Sequence, residues 1–188
     1  MLLVVLGIMF LTSCTEKQEE DAIDKYGHEL AYITYNGYSV YLYQQTANYY
    51  VNGVSGDYST AALWAVTKGN ASSLGLSIGS SGSSTSYYRF YTYSSGDSKN
   101  GYNTLSLTST GQIVASSINL NSYYLQYYTL DGKKHIAVHE MGHTFGLKDQ
   151  ATAIEGYTIM WYSYSNGSST FTNYQEFDLE NIQWKYGY

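Results

Sequence analysis

Proline is absent from all 188 residues, which excludes any motif built around one. Cysteine occurs once, at Cys14, so no disulfide can form within the chain. A folded domain must then be held by its hydrophobic core and by any metal it binds. Cations are scarce too: nine Lys and Arg stand against fifteen Asp and Glu, for a formal net charge of -6. With no basic stripe, nucleic acid is excluded as the expected partner. Charged residues make up only 13% of the chain and hydrophobic ones 44%, which speaks for a folded domain and against a disordered one.

What the chain has in quantity is tyrosine, with 24 Tyr beside 18 Gly and much serine. These residues suit β surfaces and loops in which one face of a strand stays wet. The length suffices for one domain with a single core, and a monomer is expected.

The opening "MLLVVLGIMFLTSC" is apolar up to Leu11, then small and polar, and ends at the lone Cys14. The run is too short for a permanent membrane-spanning helix but suits the core of a signal peptide. Leu11-Thr12-Ser13-Cys14 resembles the lipobox of bacterial lipoproteins. The resemblance implies cleavage after residue 13 and lipid on the Cys14 sulfur, which would anchor an exported protein at the outer face of a bacterial membrane. An ordinary secretory signal with an incidental cysteine is the alternative. No Lys or Arg precedes the apolar core, which points to a start upstream of Met1. Residues 14–30 read as a lipidated cysteine and charged tether, and 31–188 as the domain.

Within that domain, Tyr-rich alternation from Ala31 to Gly53 predicts strands. Residues 59–70 have Ala61, Trp64 and Ala65 at helical spacing, with Gly69-Asn70 to stop the helix. "LGLSIG" and "YYRFYTY" read as two strands around a Ser/Gly turn, and Gly111 to Asn121 as a further strand at a sheet edge. Helices are expected over Lys133–Phe145 and Thr172–Tyr186, the second opened by a Thr172/Gln175 capping box and striped by Leu179, Ile182 and Tyr186. This order predicts a mixed α/β (α+β) domain with a twisted sheet.

The chemistry concentrates in "HEMGHTFGLKD", residues 139–149. An α-helix advances about 100° per residue, so His139 and His143 project from one face, a turn apart, where one cation can take both imidazoles. Glu140 lies beside that direction without pointing along it, so it can serve as a base to a water near the metal. A catalytic zinc needs a third protein ligand. Gly146 can adopt the left-handed conformation that ends a helix and reverses the chain, letting Asp149 fold back beneath the histidines. Val138, Met141 and Phe145 occupy the opposite, core-facing side. His135, one turn before His139, is expected to line the cleft or the surface. Glu155 and Glu176 are rival third ligands at unconvincing distances.

The extended pattern HExxHxxGxxD resembles the metzincin clan of zinc proteases, in the snapalysin form with aspartate as third ligand. The resemblance implies one catalytic Zn2+ on His139, His143 and Asp149, with Glu140 as general base and a protein or peptide substrate. Nothing indicates calcium. "YTIMWYSY" supplies Met160 for the clan's Met-turn, and Met160-Trp161-Tyr162 is similar to the Met-x-Tyr of astacins and serralysins, whose tyrosine helps hold the tetrahedral intermediate. "GQIVASSINLN" resembles the edge strand along which matrixin substrates lie, implying main-chain contacts at Ile113, Ala115 and Ser117, and the tail resembles the matrixin closing helix. Matrixin cysteine-switch latency is excluded, because that motif contains proline. The rival reading is a non-catalytic surface lipoprotein that binds glycans or proteins through its Tyr-rich sheet, with a structural zinc. The intact Glu140 speaks against it, since a structural zinc needs no base.

Overall fold

The computed structural model describes residues 32–42, 46–72, 77–80, 83, 85–150, 158–161 and 171–186. The apolar leader, Cys14, the tether and Tyr162 lie outside the described residues. Among the described residues, no helix is long and apolar enough to cross a membrane.

The chain opens with a small hairpin, β1 (Thr34–Tyr35) and β2 (Tyr38–Ser39). Its turn residues Asn36 and Gly37 both have positive φ, as a type I′ turn requires. There follow β3 (Tyr41–Leu42), β4 (Thr46–Gly53), helix α1 (Gly56–Ala71), β5 (Ser77–Ser80), β6 (Tyr88–Tyr93), β7 (Gly101–Leu107) and β8 (Gln112–Asn121). The short α2 (Ser122–Leu125), then α3 (Leu130–Thr144) and α4 (Glu176–Tyr186), complete the order. Strands β3 to β8 form one six-stranded sheet. Its main path β3-β8-β6-β4-β5 is parallel throughout, and β7 alone pairs antiparallel, with β8. The fold is mixed α/β, as the sequence order predicts.

Helix α1 packs on β4 and β5, α3 on β7 and β8, and the two helices on each other. Small residues make that last contact close: Ala61, Ala62 and Ala65 are fully buried, and a Cβ added at Gly69 would sit 2.8 Å from Met141 Cε. Val138, Met141 and Phe145 are buried as expected, filling the core with Tyr88, Phe90, Ile118 and Leu120. The polar side of α3 is buried as well, because it faces a cleft rather than open solvent.

Two expectations need correction. Strand β8 is not an edge: Ser117 pairs with Arg89 of β6 on one side and Thr104 of β7 on the other, and Ile113 pairs with Leu42 and Leu107. With both flanks in the ladder, and Ala115 paired to Ser106, the main chain at Ile113, Ala115 and Ser117 cannot also pair a substrate. The edge belongs to β7, whose polar "GYNTLSL" carries little hydrophobic signal. The last helix also starts later than Thr172. Asp178 Oδ2 accepts from Gln175 N at 2.7 Å, the reach of a capping-box acid back to the residue before the helix. The Thr172 carbonyl instead accepts from Trp64 Nε1 at 2.7 Å. Ile182 is buried, with Leu179 and Tyr186 partly buried against the core.

Candidate metal centre

Helix α3 is started by Thr129, whose hydroxyl accepts from Gly132 N at 3.1 Å. It ends in a Schellman motif: Gly146 N donates to His143 O at 3.0 Å and Leu147 N to Gly142 O at 3.3 Å. Gly146 has φ +77, and a Cβ there would run into the Val40 carbonyl. Only glycine fits both demands, and the reversal carries Asp149 back beneath the helix.

Each histidine is oriented through its Nδ1. His139 Nδ1–H donates to the Ile159 carbonyl and His143 Nδ1–H to the Leu147 carbonyl, both at 2.9 Å. A carbonyl can only accept, so each Nδ1 carries the proton and each Nε2 is the nitrogen available to a metal. Those nitrogens lie 3.0 Å (His139) and 3.4 Å (His143) from Asp149 Oδ1. Ligand atoms placed tetrahedrally on zinc at ~2.0–2.1 Å sit about 3.3 Å apart, and the two separations straddle that value. All three ligand atoms fall within 4.8 Å of one another. The described residues thus hold a His-His-Asp cluster with the geometry and donor chemistry to bind a metal ion. His139 is buried, and Asp149 keeps 51% of its side chain exposed, so the cluster opens on one side.

Electrostatics follow from this crowding. Burial opposes charge on His139, but its bond to Asp149, the Glu140 and Asp149 carboxylates and the Ile159 carbonyl together lift it to about 9. Burial likewise works against an ionised Asp149, yet the His139 bond and the neighbouring imidazoles hold it below the usual carboxylate range. A proton and a cation therefore compete for the same nitrogen. Burial pushes Glu140 above the ordinary range, against the pull of His139, His143 and, further off, Lys99.

Glu140 is buried at the cluster's flank, its Oε2 3.9 Å from His143 Nε2. Both line a cavity of about 550 Å³, together with Gly101, Tyr102 and Asn103 of β7, the loop residues Ser98 to Asn100, and Ile136 and Trp161. His135 lines the cavity and is not part of the ligand cluster. Its Nδ1–H donates to the Phe171 carbonyl at 2.9 Å, and burial lowers it to about 4, so it is neutral.

Met160 sits directly under α3, its sulfur against Gly142. The turn that carries it is tied to the ligand segment, with Gln150 N donating to the Met160 carbonyl at 2.8 Å. Asp178 clamps it from α4, accepting from the Thr158 hydroxyl, from Ile159 N at 2.9 Å and from Gln175 N. Ile159 is also the residue whose carbonyl orients His139, so α4 reaches the cluster through one intermediate. A methyl at residue 142 would collide with the Met160 sulfur. Gly142→Ala is expected to cost about 1–3 kcal/mol and to lower Tm by roughly 3–10 °C, read by thermal unfolding; an unchanged Tm would show that Met160 is not seated there.

Asn103 and Asp178 escape a reading of the sequence. Asn103 Nδ2 donates to the Glu140 carbonyl at 2.6 Å and to Thr144 Oγ1 at 3.0 Å, while Ser116 Oγ donates to Asn103 Oδ1 at 2.8 Å. This partly buried network pins the cleft-side strand to the helix that carries Glu140. A polar residue in a strand was the only available signal, and it says nothing of the partner.

Comparison with models of known protein families gives no match, and comparison with curated proteins gives none either.

Proposed function

We propose that the chain is a zinc-dependent endopeptidase. The observation that carries this reading is the buried Glu140 carboxylate at the flank of the His139–His143–Asp149 cluster, facing the same cavity. A purely structural metal site gains nothing from a desolvated base beside an open ligand set. Two imidazole nitrogens and one carboxylate oxygen are a donor set that suits zinc, and three protein ligands are what catalytic zinc takes. The HExxHxxGxxD resemblance to metzincins supports the same assignment.

Zinc held there supplies Lewis acidity, which lowers the pKa of water towards neutral and polarises a carbonyl. The rest falls to the chain's own residues. Glu140 takes the proton of the attacking water on its carboxylate and passes it to the leaving amine. Burial, which raises the affinity of that carboxylate for a proton, suits it to this exchange. The peptide lies extended along the outer edge of β7, adding a strand where Gly101, Tyr102 and Asn103 face the cavity. A Cβ at Gly101 would come within 3.1 Å of Glu140 Oε1, so glycine keeps the floor open beside the base. Tyr162 is proposed as a further stabiliser of the oxyanion, and Cys14 as the lipid anchor at the outer face of the membrane.

The test is casein cleavage by the purified protein carrying one zinc, stopped by a chelator and restored by zinc. A zinc-loaded protein that cuts neither casein nor any member of a peptide library contradicts the reading.

A further inference from the structure

The loop Ser95–Asn100 between β6 and β7 is fixed more tightly than a plain connection requires. Asn121 is fully buried at the end of β8 and serves as its staple. Its Oδ1 accepts from Ser95 N at 3.1 Å, and its Nδ2 donates to Ser95 O at 2.7 Å and Lys99 O at 2.8 Å. The same amide group lies 3.3 Å from Asp97 Oδ1, which accepts from Lys99 N at 3.2 Å. Two tyrosines following β8 add to this: Ser98 N donates to Tyr124 Oη, and Tyr128 Oη donates to Asn100 Oδ1, both at 3.1 Å. The bonds hold Ser98 at φ 65, a left-handed conformation costly for a residue with a side chain. Such strain persists only where the surroundings over-determine it, and here the strained residue and its neighbours Lys99 and Asn100 line the cavity that holds Glu140 and His139.

Lys99 is the one permanent cation among the described residues that line the cavity. Lys133 and Lys134 are each tied to an aspartate, Asp57 and Asp131. Lys99 is exposed and makes no close ion pair among the described residues, its charge acting only at longer range on Glu140. The nearest carboxylate in its own loop, Asp97, is committed to main-chain and amide donors. Of the other lining residues, Tyr102, Ile136 and Trp161 are neutral.

We propose that this loop is a preformed substrate-recognition element in which Lys99 selects a carboxylate of the bound peptide. The inference rests on the peptidase reading of the same cleft. The carboxylate has two sources, an acidic side chain or the free C-terminus of a short peptide.

The experiment uses the zinc-loaded Glu140→Gln chain, which is expected to bind peptides without cutting them, and three fluorescent peptides of one length. One has an internal glutamate and blocked ends, one is neutral with a free C-terminus, and one is neutral with both ends blocked. At least one carboxylate peptide is expected to bind about 1.5- to fivefold more tightly than the blocked peptide, the range of an exposed ion pair. Raising salt from ~0.05 M to ~0.5 M should shrink that preference. Adding Lys99→Ala should abolish it, Lys99→Arg should keep it, and neither should alter zinc content. The peptide that shows the preference identifies the source. Equal binding of all three peptides, no binding of either carboxylate peptide, or a preference that survives Lys99→Ala overturns the proposal. Cleavage by the wild-type chain is scored separately, so failure of the peptidase reading and failure of the Lys99 assignment remain distinguishable.

Discussion

Glutamine in place of Glu140 is expected to lower kcat/KM for peptide hydrolysis about 10²–10⁴-fold, the range of a general base, with zinc content unchanged. The amide has the shape of the carboxylate but cannot take a proton from water. It should leave the metal alone, because the ligand cluster consists of His139, His143 and Asp149. Stability supplies a second readout. Glu140 is buried, and burial pushes its pKa up, so its charge is a cost to the fold rather than a support. The glutamine variant should therefore unfold no earlier than the wild type. A residue retained only for structure would show the reverse, with activity preserved and Tm lowered. Steady-state kinetics, zinc analysis and thermal unfolding on one preparation separate the cases.

The second large effect is at the third ligand. Structural zinc sites bind with roughly 10–16 kcal/mol, so one ligand of three is worth about 3–5 kcal/mol, or about three orders of magnitude in affinity. Asp149→Ala should lose that much zinc affinity in a competition with a chelator of known strength. The metal-free fold should barely respond, since half of the Asp149 side chain is exposed, whereas the stabilisation that zinc adds should fall with the lost affinity. Losing the carboxylate also removes the hydrogen bond that lifts His139, so a proton competes less for that nitrogen and a part of the loss is offset. Unchanged zinc affinity would reduce Asp149 to an ordinary turn residue.

The cluster could be read from the sequence because everything that builds it is local. Helical periodicity puts His139 and His143 on one face, and the αL requirement at Gly146 turns the chain within three residues of Asp149. The α/β class was legible for the same reason, from strand and helix patterns in order. Failures came where the decisive partner is distant. Strand β7 is too polar to announce itself, so the sequence pattern puts β8 at the edge that β7 occupies. The Asn103 amide meets the Glu140 carbonyl across 37 residues, and the Asp178 carboxylate meets Ile159 N across 19. No local pattern encodes such pairs. The start of α4 differs from the Thr172/Gln175 expectation because the acid that caps it is Asp178, three residues beyond Gln175.

The most direct measurement is X-ray absorption at the zinc edge on the metal-loaded chain. The account predicts a four-coordinate ion with two imidazole nitrogens and two oxygens, one from Asp149 and one from solvent, and loss of one protein oxygen in Asp149→Ala. A centre filled by four protein ligands, or one whose coordination is the same with and without the Asp149 carboxylate, would contradict it.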